Sequence, residues 1–420
     1  MWQPIAGPET SRRCWEAIDA IATGLLESNA SGTGTRHPSL FASGKVGQSL
    51  FFSYLEAARP GNGAGDHAFS LLEEGIDALP GATLYPDLYS GFCGIGWLVE
   101  HLSEFLFEAD EELTAEIEAT LRERLTSAAG TSRPRPYELI SGIAGLGVYL
   151  LERHPHADVG DLLGRILDLL EEAAEETEDG LTWRSPPEWL SDVLREHFPE
   201  GGYNLGVAHG IPGVIGFLAA ARHAGITDPR VAGLAEGSVE WLLRQRMPEG
   251  GDTRFSAIVG PGAPHEPTRS AWCYGDPGIA AVLLSAARAF NRPDWEAEAL
   301  ALARLVAKRP AAATEATDSC LCHGTAGLGH LFNRMYQATG DPEMKDAALV
   351  WFERTLDLRK PGQGLAGFVN WTVDERGAPT WQGEPGFLSG IAGTGLALLA
   401  AVTDQEPAWD RVLAVAVPSR

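Results

Sequence analysis

The chain is poor in cysteine, carries no excess of positive charge and has no long apolar run. Its five cysteines, Cys14, Cys93, Cys273, Cys320 and Cys322, are sparse for 420 residues and odd in number. That excludes a disulfide framework and points to a reducing, cytoplasmic setting. Lys plus Arg number 32 against 57 Asp plus Glu, a formal charge of −25. Nucleic acids and anionic membrane surfaces need the opposite balance, so neither is an expected partner. No stretch approaches the roughly 20 apolar residues of a membrane helix. Met1 to Ser28 interrupts its apolar residues with Arg12, Arg13 and Glu16, which does not fit a secretory signal. Flexible linker compositions and low-complexity tracts are missing as well, so residues 1–420 read as a single domain.

A repeat fills the chain instead. Seven Gly-x-x-Gly motifs begin at Gly44, Gly91, Gly142, Gly210, Gly275, Gly324 and Gly390, at intervals of 47 to 68 residues. Such intervals suit a helix pair with its loops. Each motif opens a strongly apolar segment, such as Ile95 to Leu106, Val214 to Ala221 or Leu396 to Val402. Charge-rich stretches lie between the motifs, including Glu112 to Leu125, Asp158 to Glu175, Trp295 to Ala307 and Glu343 to Leu358. Apolar residues recur there every three or four positions, as in helices packed on one face. The economical arrangement is two helical layers, apolar inside and amphipathic outside. Seven pairs predict an all-α fold, an α/α toroid if the ring closes or an open superhelix if it does not. Serine before the first glycine is expected to cap each inner helix, with the glycines allowing tight turns. The long loops Gly180 to Gly206, Arg246 to Ala271 and Pro361 to Gly386 either wall the rim or merely connect helices, with a short strand expected at Phe368 to Val373.

The copies differ where chemistry would sit. Immediately before the first glycine stand Ser43, Ser90, Ser141, His209, Tyr274, His323 and Ser389, and one position earlier Cys273 and Cys322 occupy copies five and six. Two thiols and an imidazole from adjacent copies form a soft donor set for Zn²⁺, and three protein ligands leave one position for water or a substrate thiol. Alternatively, both cysteines are small buried residues and His323 is a hydrogen-bonded cap. Cys320 has no counterpart in copy five and reads as a bystander; Cys14 and Cys93 read as core. His209 suits proton transfer near neutral pH, or else is a satisfied structural histidine. Arg269, four residues before Cys273, suits an oxyanion or else a surface pair with Glu266. Asp87 and Glu138 each lie four residues before a first glycine and form a candidate carboxylate pair.

The segments Ala208-His209-Gly210-Ile211-Pro212-Gly213, Arg269-Ser270-Ala271-Trp272-Cys273-Tyr274-Gly275 and Cys322-His323-Gly324-Thr325-Ala326-Gly327 resemble signatures of the lanthionine synthetase C-like family. The length resembles the free-standing cyclases of lantibiotic biosynthesis. The resemblance implies an α/α toroid with catalytic zinc on Cys273, Cys322 and His323. It implies addition of precursor-peptide cysteines to dehydroalanine or dehydrobutyrine, giving lanthionine or methyllanthionine rings. It also implies active-site places for His209, Arg269 and Tyr274. Glu138 stands where the family usually has aspartate, which puts its pairing with His209 in question. Implied partners are the dehydrated precursor peptide and, around it, a dehydratase and an exporter. Two other readings remain: a relative that adds glutathione or another thiol to dehydroamino acids, and a non-catalytic zinc-stabilised peptide-binding scaffold.

Overall fold

The computed structural model describes residues 1–31, 37, 39–79, 85–108, 110–126, 136–155, 157–190, 192–261, 265–373 and 378–418. The long loops expected from the sequence each include a stretch outside these residues: 191, 262–264 and 374–377. In chain order the helices begin with α1 (Pro8–Ser31), α2 (Lys45–Ala58), α3 (Ala64–Asp77), α4 (Phe92–Ser103) and α5 (Glu111–Thr126). Next come α6 (Ile143–Arg153), α7 (Gly160–Glu172), the strands β1 (Glu175–Thr177) and β2 (Gly180–Thr182), α8 (Asp192–His197) and β3 (Tyr203–Asn204). They are followed by α9 (Ile211–His223), α10 (Pro229–Arg244), β4 (Ile258–Val259), α11 (Asp276–Ala289) and α12 (Pro293–Lys308). The chain ends with α13 (Thr325–Thr339), α14 (Pro342–Leu358), β5 (Asn370–Val373), β6 (Pro379–Gln382) and α15 (Ile391–Val402). The strands form three two-stranded antiparallel pairs, β1 with β2, β3 with β4, and β5 with β6.

These elements gather into two compact units, one of Met1–Glu111 with Glu315–Trp409, the other of Glu112–Thr314 with Asp410–Pro418. In the first unit α13, α15, α2 and α4 stand side by side in that order, with α14 covering α13 and α3 covering α2. In the second unit α6, α9 and α11 form the inner row, covered by α7, α10 and α12. The inner helices are buried almost around their whole circumference, as α15 from Ile391 to Ala401 and α11 from Asp276 to Ala287 illustrate. Outer helices bury one stripe: α7 inserts Leu162, Leu163, Ile166, Leu167 and Leu170. Each such aliphatic side chain contributes about 1.5–3 kcal/mol of hydrophobic stabilisation.

Three details depart from the sequence pattern. The helix expected across Asp158 to Glu175 stops at Glu172, because Glu175 pairs with Thr182 in the β1–β2 hairpin. The expected strand at Phe368 to Val373 starts only at Asn370. The outer partner of α15 comes from the other end of the chain: α1 packs against it, and Trp2 Nε1 donates to the Ala400 carbonyl at 2.8 Å.

Serine does not cap the inner helices. The N-cap is the glycine itself at Gly44, Gly91, Gly142, Gly210, Gly324 and Gly390, without any side-chain cap bond. Backbone carbonyls do the work. The first helical N–H of four copies reaches the carbonyl seven residues back: Phe92 to Tyr85 (3.2 Å), Ile143 to Pro136 (2.9 Å), Thr325 to Asp318 (2.9 Å) and Ile391 to Glu384 (2.8 Å). Bringing that folded-back turn against the helix leaves no room for a Cβ. One built on Gly91 would lie 2.0 Å from the Tyr85 carbonyl oxygen, and one on Gly94 2.2 Å from that of Leu88. The glycines are therefore required by close approach of backbone to backbone.

This predicts opposite effects for two Gly→Ala substitutions followed by denaturant unfolding. Gly94→Ala meets backbone and is expected to cost about 2 kcal/mol or more. Gly233→Ala, on α10 with nothing within 4 Å of the added methyl, is expected to stabilise by about 0.5–1 kcal/mol.

Candidate active site and metal-binding residues

In six of the seven copies the residues two places before the first glycine are laced together by backbone hydrogen bonds. In the first unit Cys322 N–H donates to Leu388 O (2.9 Å), Leu388 N–H to Ala42 O (3.1 Å), and Ala42 N–H to Tyr89 O (3.0 Å). In the second unit Ala208 N–H donates to Cys273 O (3.4 Å). Each bond runs from one repeat copy to the next, copy seven leading to copy one. Cys273 and Cys322 thus occupy equivalent positions in this lacing. Because the helices are capped by backbone, the residue just before the glycine has no capping duty. That position can carry His209, Tyr274 or His323.

In the second unit His209 sits ahead of α9 with its side chain half exposed, and its Nδ1 meets Glu138 Oε2 at 2.6 Å. Glu138 is 5% exposed and is itself fixed. Its Oε1 accepts from Ser141 N–H (2.7 Å) and Ser141 Oγ (2.9 Å), and its Oε2 from Ile140 N–H (3.2 Å). The longer side chain therefore reaches the imidazole despite replacing aspartate. Burial disfavours the charged ring, but the hydrogen bond and charge of Glu138 outweigh it and hold the His209 pKa above its ordinary value of 6.5.

Tyr274 lies with its ring centroid 6.5 Å from that of His209, and its hydroxyl accepts from Asn204 Nδ2 at 3.0 Å. Cys273 is nearly buried. Arg269 is partly buried, with its carbonyl oxygen against Gly275, where an added Cβ would lie 2.0 Å away. Among the described residues its side chain has no ion-pair partner, Glu266 included. Asp87, in the first unit, accepts from Ser90 Oγ at 2.9 Å.

Cys322 and His323 precede α13 in the first unit, and their ligand atoms lie within 4.8 Å of each other. Beside them Asp318, Cys320 and His323 form a cluster that could hold a metal ion, again with ligand atoms within 4.8 Å. Cys320 is fully buried, which pushes its thiol pKa up to about 11, and its sulfur accepts the His323 N–H at 3.4 Å. A thiol so placed is a poor thiolate donor. Cys14 and Cys93 are also wholly buried. Asp318, 1% exposed, faces His323 Nε2 at 3.4 Å. Burial opposes its charge, yet the neighbouring His323 imidazole and the Cys320 N–H keep its pKa below the usual carboxylate value.

Sequence reasoning passed over Asn204 and Asp318. Both stand six residues before a first glycine, the register that also holds Arg269. Comparing the copies at that position, as well as at the two just before the glycine, would have found them.

A family profile described as lanthionine synthetase C-like protein matches residues 38–414. The chain belongs to the lanthionine synthetase C-like family. Among curated relatives, it is 26% identical over 269 residues to nisin biosynthesis protein NisC of Lactococcus lactis subsp. lactis, covering 57% of this chain and 60% of that protein. It is 24% identical over 187 residues to glutathione S-transferase LANCL1 of Danio rerio, covering 40% and 42%. Both matches thus span less than two thirds of the relatives they match. A solved structure of nisin cyclase superposes with a TM-score of 0.77 at 20% identity, covering 94% of this chain and 96% of that one. That match bears out the α/α toroid expected for this family member. No described helix is long and apolar enough to cross a membrane.

Glu138 raises the His209 pKa, so its stabilising effect is complete below the unfolded value near 6.5 and fades as pH rises through the folded one. In Glu138→Gln the carboxylate is gone and burial prevails. NMR titration is expected to show the imidazole losing its proton at lower pH than in the parent. The stability gap between the two proteins should narrow with rising pH.

Proposed function

We propose that this protein is a zinc-dependent peptide cyclase that forms thioether rings in a ribosomal precursor peptide. The observation that carries the reading is the placing of Cys273 and Cys322 at equivalent positions of the backbone lacing. His323 follows Cys322, and the paired His209 lies one copy before Cys273. Cys273, Cys322 and His323 would hold the ion, a donor set suited to zinc with a ligand position to spare. Bound zinc would supply the acidification that keeps a substrate thiol as thiolate near neutral pH.

The remaining chemistry falls to the chain's own side chains. The substrate thiolate adds to the β-carbon of dehydroalanine or dehydrobutyrine, a C–S bond forms, and the π electrons move onto the neighbouring amide oxygen as an enolate. Arg269 would stabilise that charge. The α-carbon then takes a proton, and the thiol's proton has been given up, so the ring closes without change of mass. His209 carries these proton transfers: Glu138 on Nδ1 fixes the ring and leaves Nε2 to reach substrate. Tyr274, held by Asn204, shapes the pocket beside His209 or donates its hydroxyl proton. A cytoplasmic site of action, alongside a dehydratase and an exporter, belongs to the same reading.

Similarity to LANCL1 favours a second reading, in which a free thiol such as glutathione adds to a dehydroamino acid. One assay separates them. Dehydrated precursor peptide is incubated with the protein, with or without glutathione, then alkylated and weighed. A cyclase leaves fewer alkylated cysteines at constant mass, whereas a transferase adds the mass of glutathione. Unchanged alkylation and mass with authentic substrate would sink both, leaving a peptide-binding scaffold. Cys273→Ala, Cys322→Ala and His323→Ala are expected to abolish zinc retention and ring closure while circular dichroism stays helical. His209→Ala should keep zinc and slow ring closure by roughly 10²–10⁴.

A further inference from the structure

We propose that Asp318 is a positioning residue for His323, fixing the imidazole so that Nδ1 is its metal-ligating nitrogen. The inference rests on the zinc reading above and adds a residue to it. Asp318 is 1% exposed, and both of its oxygens are engaged. Oδ1 accepts from Cys320 N–H at 3.0 Å and Oδ2 from Trp371 N–H at 3.0 Å, while Oδ2 also faces His323 Nε2 at 3.4 Å. The Trp371 ring stands edge-on to the imidazole, with centroids 5.7 Å apart and planes at 82°. The ring is thus turned with Nε2 toward a buried carboxylate and walled by an indole. A proton on Nε2 is the one that faces this carboxylate. The lone pair of a neutral imidazole is then on Nδ1, the nitrogen left for an ion.

The repeat supplies an internal comparison. Asn204 occupies the same register two copies earlier and makes the same local turn, its Oδ1 accepting Gly206 N–H at 2.9 Å as Asp318 Oδ1 accepts Cys320 N–H. An amide therefore suffices for the turn. What aspartate adds is a negative second oxygen aimed at His323. Gly324 makes room for the turn oxygen, since a Cβ there would lie 2.3 Å from Asp318 Oδ1. Such carboxylate–histidine pairs tune ligand basicity and orientation, and losing them typically weakens metal affinity by roughly 10–100-fold.

Asp318→Asn keeps the turn and removes the charge. Zinc affinity would be measured by competition with a chromophoric chelator in the full-length parent, Asp318→Asn, Cys320→Ala and Cys322→Ala. The expected result is zinc binding in the parent, loss in Cys322→Ala, no change in Cys320→Ala, and roughly 10–100-fold weakening in Asp318→Asn. Parental affinity in Asp318→Asn would overturn the positioning role and leave the zinc reading standing. Loss in Cys320→Ala equal to that in Cys322→Ala would make Asp318 and Cys320 direct ligands and overturn it too. A parent that binds no zinc would bring down both claims. The tautomer gives a readout independent of whether the variants fold. In the zinc-loaded parent labelled with ¹⁵N-histidine, His323 should show a protonated Nε2 and a metal-shifted Nδ1; the reverse assignment contradicts the proposal.

Discussion

Backbone-to-backbone contact at the start of the inner helices is the constraint on which everything else depends. In four copies the folded-back turn caps its helix with a carbonyl from seven residues earlier, and the glycine motif exists because backbone of the turn touches the helix backbone. The same turns are stitched to one another through residues two places before the glycine, in the first unit from Cys322 through Leu388 and Ala42 to Tyr89. Main-chain groups satisfy the helix ends, so the side chains at these positions carry no structural obligation. Serine, histidine and tyrosine therefore share one register among the copies.

The chemistry follows from that freedom. Where copies two and three place Ser90 and Ser141, each serine hydroxyl donates to the acid three residues before it, Asp87 or Glu138. Copy four replaces serine with His209, which takes Glu138 from the preceding copy as its partner. Copy six places His323 beside Asp318, its own carboxylate. An imidazole with an acid on one nitrogen thus occurs twice on the same scaffold. One is fixed by Glu138 on Nδ1 and half exposed, suited to moving protons; the other faces its acid through Nε2 and is largely buried, suited to holding an ion.

Much of this was legible in the sequence. The seven glycine pairs, the apolar inner segments and the amphipathic outer ones gave the architecture, because period and spacing are properties of the chain itself. The departures at Cys273, Cys322, His323 and His209 stood out by comparison among copies. The capping mechanism was not legible: serine before a helix is a common cap, and only the three-dimensional path of the turn shows a carbonyl in its place. Nor was the pairing of α1 with α15, which joins segments hundreds of residues apart. Asn204 and Asp318 were hidden because their work is done through hydrogen bonds rather than through a recognisable ligand spacing. Glu138 is one methylene longer than the aspartate usual in its register, yet backbone N–H donors from Ile140 and Ser141 hold its carboxylate where the histidine can reach it.

The central claim is that the lacing presents two thiols and one imidazole to a single zinc ion. Zinc-edge X-ray absorption on the purified protein tests it most directly. The account predicts two sulfur neighbours at about 2.3 Å and a nitrogen at about 2.0–2.1 Å, with one further sulfur appearing when a small thiol is added. A shell with one sulfur, or with three before any thiol is added, would contradict it.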